Sequence, residues 1–444
     1  MTLIVPKFIG IEDYGYWQLF ILYTSFVGFL HFGWIDGIYL RYGGREYRSL
    51  DKKLFYSQFL MLAASQIFFA LIIVFLSIIF IENANKAFII RMTAVDLVIV
   101  NTRYLLLFTL QATARFKKYS SIIILDRLQY VFLVIILLAF GFRDYQLMIF
   151  ADLTAKIISL MFALNICKDI VFLRIADFNF SFSEVASNIG AGINLLISNI
   201  ASRLVIGSIR FGIENNWDIE TFGKVSLTLS VSRLVLLIIN AIGIVMYPVL
   251  RRTNAEKLPN IYLMLRDILM PLLLGALFFY YPIRIIVIAW LPSYADSFFY
   301  LGILFPIIVY EGKMSLLINT YLLTLRQEKA ILKVNVLTAA VSFILTIIFT
   351  SFLRNLDLSI ISIIFLITLR CILAEIILSN NLQVLITKDI FLELIMTTVF
   401  ILSAWFLDSS ISIIVYSAAY FIYLIFKHDE IRHSFNHLVA IMRR

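Results

Sequence analysis

Charge is scarce in this chain. Lys, Arg, Asp and Glu make up only 15% of its 444 residues, while 62% are hydrophobic. Soluble domains carry about 25% charged and about 45–50% apolar residues, so a water-soluble globular protein is excluded. Cysteine is rarer still: Cys167 and Cys371 both lie in apolar stretches, which rules out a disulfide framework or a clustered metal site. Three of the four histidines, His428, His433 and His437, fall near the C-terminus, without the carboxylate or cysteine organisation of a metal centre. A Gly-rich phosphate loop is missing, which argues against ATP hydrolysis. Met1–Gly10 is too short for a secretory signal peptide.

Long apolar runs take the place of these features. Leu54–Ile81, Val334–Leu353 and Ser409–Phe426 contain no charged residue, and a helix of about 20 apolar residues crosses a bilayer core. Thirteen such helices are expected, at about 16–40, 54–81, 87–114, 119–141, 146–167, 183–208, 221–249, 262–290, 297–325, 330–353, 358–380, 389–407 and 409–427. The connections are too short for a soluble domain. Their charge alternates. "RYGGREYRSLDKK" and the loops holding Arg115, Lys117, Lys118, Arg251, Arg252, Lys257, Arg326, Lys329 and Lys333 are basic, as is the C-terminal tail. The intervening loops, such as "IENANK" and "LPSYADS", are not. Basic loops face the cytoplasm, so the C-terminus is expected inside and the N-terminus outside. The net charge of +9 is thus ascribed to loop placement rather than to a nucleic-acid partner.

A repeat runs through the pattern. "IEDYGYWQL" at Ile11–Leu19 returns as "IETFGKVSL" at Ile219–Leu227, 208 residues on. Ile11–Gly15 reads as an outer turn leading into a span. The second copy follows a complete helix at 183–208, which Ser181 and Glu184 would open as a capping box; the first follows only Met1–Phe8. The expected architecture is therefore all-α. It has an N-lobe at 1–167 with its first helix mostly missing, an amphipathic cytoplasmic linker at 168–182, a C-lobe at 183–380, and a helix pair with a basic tail at 381–444.

The Glu12–Gly15 turn, "HFGWIDGIYLRYGG" at 31–44, "YPVLRR" at 247–252 and the helix count resemble bacterial polysaccharide flippases of the O-antigen and capsule type. These belong to the multidrug/oligosaccharidyl-lipid/polysaccharide exporter superfamily. The resemblance implies a non-enzymatic transporter in the bacterial cytoplasmic membrane. It would move an undecaprenyl-diphosphate-linked oligosaccharide by alternating access, alongside other polysaccharide-assembly proteins. A cation-coupled multidrug antiporter of the same superfamily remains the alternative. A membrane polymerase or glycosyltransferase would need acidic residues in substantial external loops, and the external loops here are short.

Intramembrane charges are costly and usually face a cavity or a partner. A diphosphate favours cationic walls, which selects Arg203, Arg233, Arg103 and Arg284, with Asn199 and Asn240 as neighbouring amides. Asn188, Gly192, Asn199 and Arg203 share one face of their helix at 3.6 residues per turn. Asp36, Asp96 and Glu311 are the carboxylates for coupling to H+ or Na+, and no other cofactor is expected. Structural pairing competes at several positions: Asp152 with Lys156 at i, i+4, Asp96 with Arg103, and Arg284 with Glu311.

Overall fold

The computed structural model describes residues 1–236 and 255–442. Among the described residues there is no strand. Among the same residues ten helices are long and apolar enough to cross a membrane, or up to 12 spans if each of two bent helix pairs is one. The protein is a multi-pass, all-helical membrane protein. Its chain divides into two compact units, Leu3–Ile200 and Ala201–Arg444.

The first unit contains α1 (Val5–Phe8), α2 (Ile11–Thr24), α3 (Trp34–Tyr42), α4 (Lys52–Phe80), α5 (Ala84–Ala112), α6 (Phe116–Ala139), α7 (Tyr145–Ile166), α8 (Lys168–Val171) and the opening half of α9 (Phe182–Asn216). Side-chain caps start two of the spans. Asp51 accepts the backbone N–H groups of Lys53 and Leu54 at the head of α4, and Asn83 accepts that of Lys86 at the head of α5. Such caps satisfy donors that the helix itself leaves open.

Two expectations for this unit are corrected. The Ile11–Gly15 stretch is not a turn but the start of α2, with Gly15 buried inside the helix. Its acids, Glu12 and Asp13, occupy the first helical turn, where the macrodipole favours negative charge. Asp13 also accepts the Tyr145 N–H at 3.0 Å, tying α2 to the head of α7. The expected span at 16–40 is broken. A 3-10 turn at Val27–His31 leads to Phe32 and Gly33, both at positive φ (52° and 83°), and α3 leaves at 62° to the preceding segment. Unwound backbone at membrane depth needs other partners. The Val27 and Leu30 carbonyls accept the amides of Asn101 and Gln66, each at 3.0 Å. Glycine then permits α3 to approach α9 closely. A Cβ on Gly37 would overlap the Asn188 backbone, and one on Gly192 would overlap the Gly33 carbonyl.

One end of this unit is basic. The Tyr47 ring lies under Lys52 (3.7 Å) and Arg115 (3.6 Å), and its hydroxyl donates to Asp169 at 2.8 Å. Burial pushes the Tyr47 hydroxyl pKa up. Burial opposes ionisation of Asp169, but the Tyr47 hydroxyl and Lys52 hold its carboxyl below the usual carboxylate range. The segment beyond α8 is pinned by Asp177 to Lys53 (2.7 Å) and exposes Phe172, Ile175, Phe180 and Phe182.

The second unit begins within α9 and continues through α10 (Ile219–Ser232), α11 (Leu258–Gly275), α12 (Tyr280–Trp290), α13 (Leu301–Leu304), α14 (Ile307–Lys313), α15 (Asn319–Thr324), α16 (Glu328–Thr346), α17 (Leu356–Leu382), α18 (Thr387–Phe406) and α19 (Ser409–Met442). Prolines interrupt it. Pro271 lies inside α11, and Pro306 precedes α14 at a 45° bend in the Pro292–Thr324 span. The hydroxyls of Tyr420 and Tyr416 donate to the Pro271 and Leu274 carbonyls (2.9 and 2.8 Å), fastening α19 to α11. Asn240 and the "YPVLRR" segment lie outside the described residues.

The repeat is visible in the helix boundaries. Both α2 and α10 contain 14 residues, and they open at Ile11 and Ile219. Later starts keep step: Lys52 with Leu258, Ala84 with Pro292, Tyr145 with Leu356.

Candidate functional site

Arg203 and Arg210 are seven residues apart on α9, which places them on one helix face. Arg210 donates to Ser226 of α10 at 3.0 Å. Seven residues beyond Ser226, Arg233 ends α10 with an exposed side chain. Among the described residues, Glu311 of α14 and Arg370 of α17 are charged groups that act on Arg233. Arg370 is nearly buried. One terminal nitrogen donates to Glu311 Oε1 at 2.7 Å and the other to Ser202 Oγ at 2.9 Å. Ser202 immediately precedes Arg203, whose side chain is exposed. Arg233 and Arg370, with the carboxylate of Glu311, form a cationic group within the second unit. Planar guanidinium forks match phosphate oxygens in geometry and charge.

Asn188 and Gly192 of the expected polar stripe serve packing instead. Both are buried against α3, and Asn188 accepts from Arg41 at 2.5 Å. Asn199 is exposed. Ser181 accepts the Glu184 N–H at 3.4 Å, but the Glu184 carboxylate pairs with Arg41 (2.7 Å) rather than closing a capping box. Arg284 donates to Ser409 at 2.8 Å; Glu311 is paired with Arg370, so the expected Arg284–Glu311 pair is absent.

In the first unit Asp96 does not neutralise Arg103. Lys156 takes Asp96 at 2.8 Å and Asp152 at 2.6 Å, so the expected i, i+4 pair forms and is extended across helices. Arg103 pairs with Asp126 of α6 at 3.2 Å and donates to Ser159 of α7 at 3.1 Å. Asp36 is buried near His31, with 3.8 Å between Oδ2 and Nε2, just past the helix break.

The intramembrane charges Lys313, Arg370 and Glu375 are legible in the sequence of the second half, but the larger network that joins Lys313 and Glu375 to further residues is not. Arg266 of α11 contacts Glu375 (3.0 Å), Glu393 (2.5 Å) and Asp389 (3.2 Å). Lys313 of α14 contacts the same two glutamates, and the Tyr262 hydroxyl donates to Glu375 at 2.9 Å. Lys427 of α19 joins Asp389 (2.6 Å) to Asp267 (3.1 Å). Arg266, Lys313, Glu375 and Glu393 are all buried. Every lone pair and proton count needs a partner at such depth, and the network supplies them from five helices. Arg266 and Glu393 lie within five residues of the expected span limits. Among the described residues, no group of three or more His, Cys, Asp or Glu could hold a metal ion.

No protein-family model matches the chain, and no curated protein matches it in sequence. Solved structures do share the fold. An inward-facing multidrug resistance MATE family transporter of the MOP superfamily aligns with TM-score 0.61 at 14% identity, over 86% of this chain and 94% of that one. A MATE protein in complex with MaL6 aligns with TM-score 0.56 at 12% identity, over 84% and 88%. An outward-facing multidrug resistance MATE family transporter of the MOP superfamily gives TM-score 0.56 at 13% identity, over 86% and 94%. The chain has the fold of these MATE transporters.

Proposed function

We propose that this protein is a membrane transporter working by alternating access, and that its substrate is an anionic amphiphile of the lipid-linked oligosaccharide class. Undecaprenyl diphosphate is the carrier in this reading, and the bacterial cytoplasmic membrane is the location, with the C-terminus inside. Support for transport comes from the shared fold with proteins described in inward-facing and outward-facing conformations. The anionic substrate rests on one observation: Arg233 and Arg370 meet at the carboxylate of Glu311 in the second unit, where Arg203 lies one residue beyond Ser202, the other Arg370 partner. Intramembrane cations of this kind mark substrate pathways.

A second reading is a cation-coupled multidrug antiporter. The names of the fold neighbours favour it over polysaccharide transport, and the buried carboxylates Asp36 and Asp96 would serve cation coupling. Complementation separates the two. In a flippase-deficient strain the wild-type chain should restore surface polysaccharide, and R203E or R233E should abolish it while the protein remains in the membrane. Drug resistance without polysaccharide in the same strain would establish the antiporter instead.

A further inference from the structure

Arg370 is held by a hydroxyl, Ser202, and by a partly exposed carboxylate, Glu311. Its side chain is 6% exposed and that of Glu311 is 24% exposed. Only Oε1 of Glu311 engages the guanidinium, a single-point contact where a fork could take two. Arg370 Nε is buried and without a hydrogen-bond partner, so the fork is short of an acceptor. Glu311 stands five residues beyond the Pro306 bend and shortly before a π-helical turn at Met314–Ile318, local geometry associated with functional sites. Two residues on, Lys313 is fixed by Glu375 and Glu393, so the backbone is anchored there while the Glu311 side chain is partly exposed.

We infer that Glu311 is an internal stand-in for the substrate's phosphate. With the site empty, its carboxylate occupies part of the Arg370 fork. An incoming phosphate displaces it and takes Arg370 with more of its donors, while Ser202 keeps the guanidinium in place. Arg233, which acts on Glu311 as well as lying near Arg370, is the cation left to receive the displaced carboxylate. Such a competitor lowers apparent affinity by the fraction of time it leaves the fork open. It gives an arginine in a membrane a partner at every stage, avoiding an unpaired buried charge. The inference rests on the anionic-substrate reading above and identifies Glu311 as the group that weakens substrate binding.

The test is binding of farnesyl diphosphate, a soluble prenyl diphosphate, to the purified full chain in detergent, with tetraphenylphosphonium as the cationic control. E311Q should bind the diphosphate about tenfold tighter than wild type, by removal of the competitor, and R370Q at least about tenfold weaker. A gain in affinity is a result that structural damage does not produce. If E311Q does not fold, E311D keeps the charge but shortens the reach to Arg370 and should move affinity in the same direction. Unchanged or weaker binding by the folded glutamate variant, with wild type binding the diphosphate, overturns the inference and leaves the anionic reading standing. Binding of tetraphenylphosphonium with none of the diphosphate by wild type or variant overturns both.

Discussion

The two units carry one helix pattern but use charge differently at matched positions. Arg103 and Glu311 are 208 residues apart; Ser159 and Arg370 are 211 apart, the offset between the starts of α7 and α17. Each pair is in contact: Arg103 donates to Ser159, and Arg370 donates to Glu311. In the first unit the arginine lies on α5, an unbroken helix of 29 residues, and its carboxylate, Asp126, is buried. In the second unit the corresponding span is bent at Pro306, and the carboxylate is partly exposed. A closed pair on a continuous helix fixes structure. An open pair on a broken helix can exchange partners, because the cost of separating charges falls as water or another ion can reach them.

Breaking the buried pairs should show the contrast most strongly. R266M breaks three buried carboxylate contacts and leaves Glu375, Glu393 and Asp389 to share Lys313 and Lys427, and should lower stability by about 3–5 kcal/mol, the cost of undercompensated buried charge. R103M breaks one carboxylate contact rather than three and should cost less. Thermal melting of both variants in detergent gives the order, and a larger loss for R103M would remove the distinction between a network and a single pair. A smaller difference is expected at the glycines. An added methyl on Gly37 meets the Asn188 backbone, which cannot turn away, whereas on Gly212 it meets the side chains of Thr346 and Thr350. G37A should cost about 1–3 kcal/mol from overpacking, and G212A should cost less. Equal melting temperatures would show that α3 can shift away from α9.

Much of the fold was legible because spans are long and the bilayer demands apolar runs. At its first helix pair the repeat register also held to the residue: Ile11 and Ile219 open helices of the same length. What failed was local. Glu12, Asp13 and Gly15 are turn residues by type, yet at a helix N-terminus the acids favour the helix. Partner choice failed for a different reason. Asp152 and Lys156 were readable because i, i+4 spacing fixes their approach. For Arg103 the sequence offers a cavity wall or a pair with Asp96 on its own helix, while the structure gives it Asp126 on the next one. Helix rotation and depth decide such pairings, and neither is written in a single helix. Asp126 was overlooked beside Arg127, although adjacent residues point to different faces and an acid at mid-span was the available signal.

The smallest effect tests the same pairing chemistry where water is present. Asp169 lies outside the spans, its side chain 47% exposed, with Lys52 at 3.1 Å and the Tyr47 hydroxyl at 2.8 Å. These partners depress its pKa against the opposing effect of partial burial. A depressed carboxylate contributes stability above its unfolded pKa, near about 3.9, and loses that contribution as pH falls through the folded value. D169N should therefore cost less than about 1 kcal/mol at neutral pH, because exposed pairs are screened. The difference from wild type should shrink to nothing as acid protonates Asp169. Melting curves at neutral and acidic pH would reveal this convergence. A D169N loss as large as that of R266M would mean that burial does not set the strength of these pairs, and the contrast between closed and open sites would lose its physical basis.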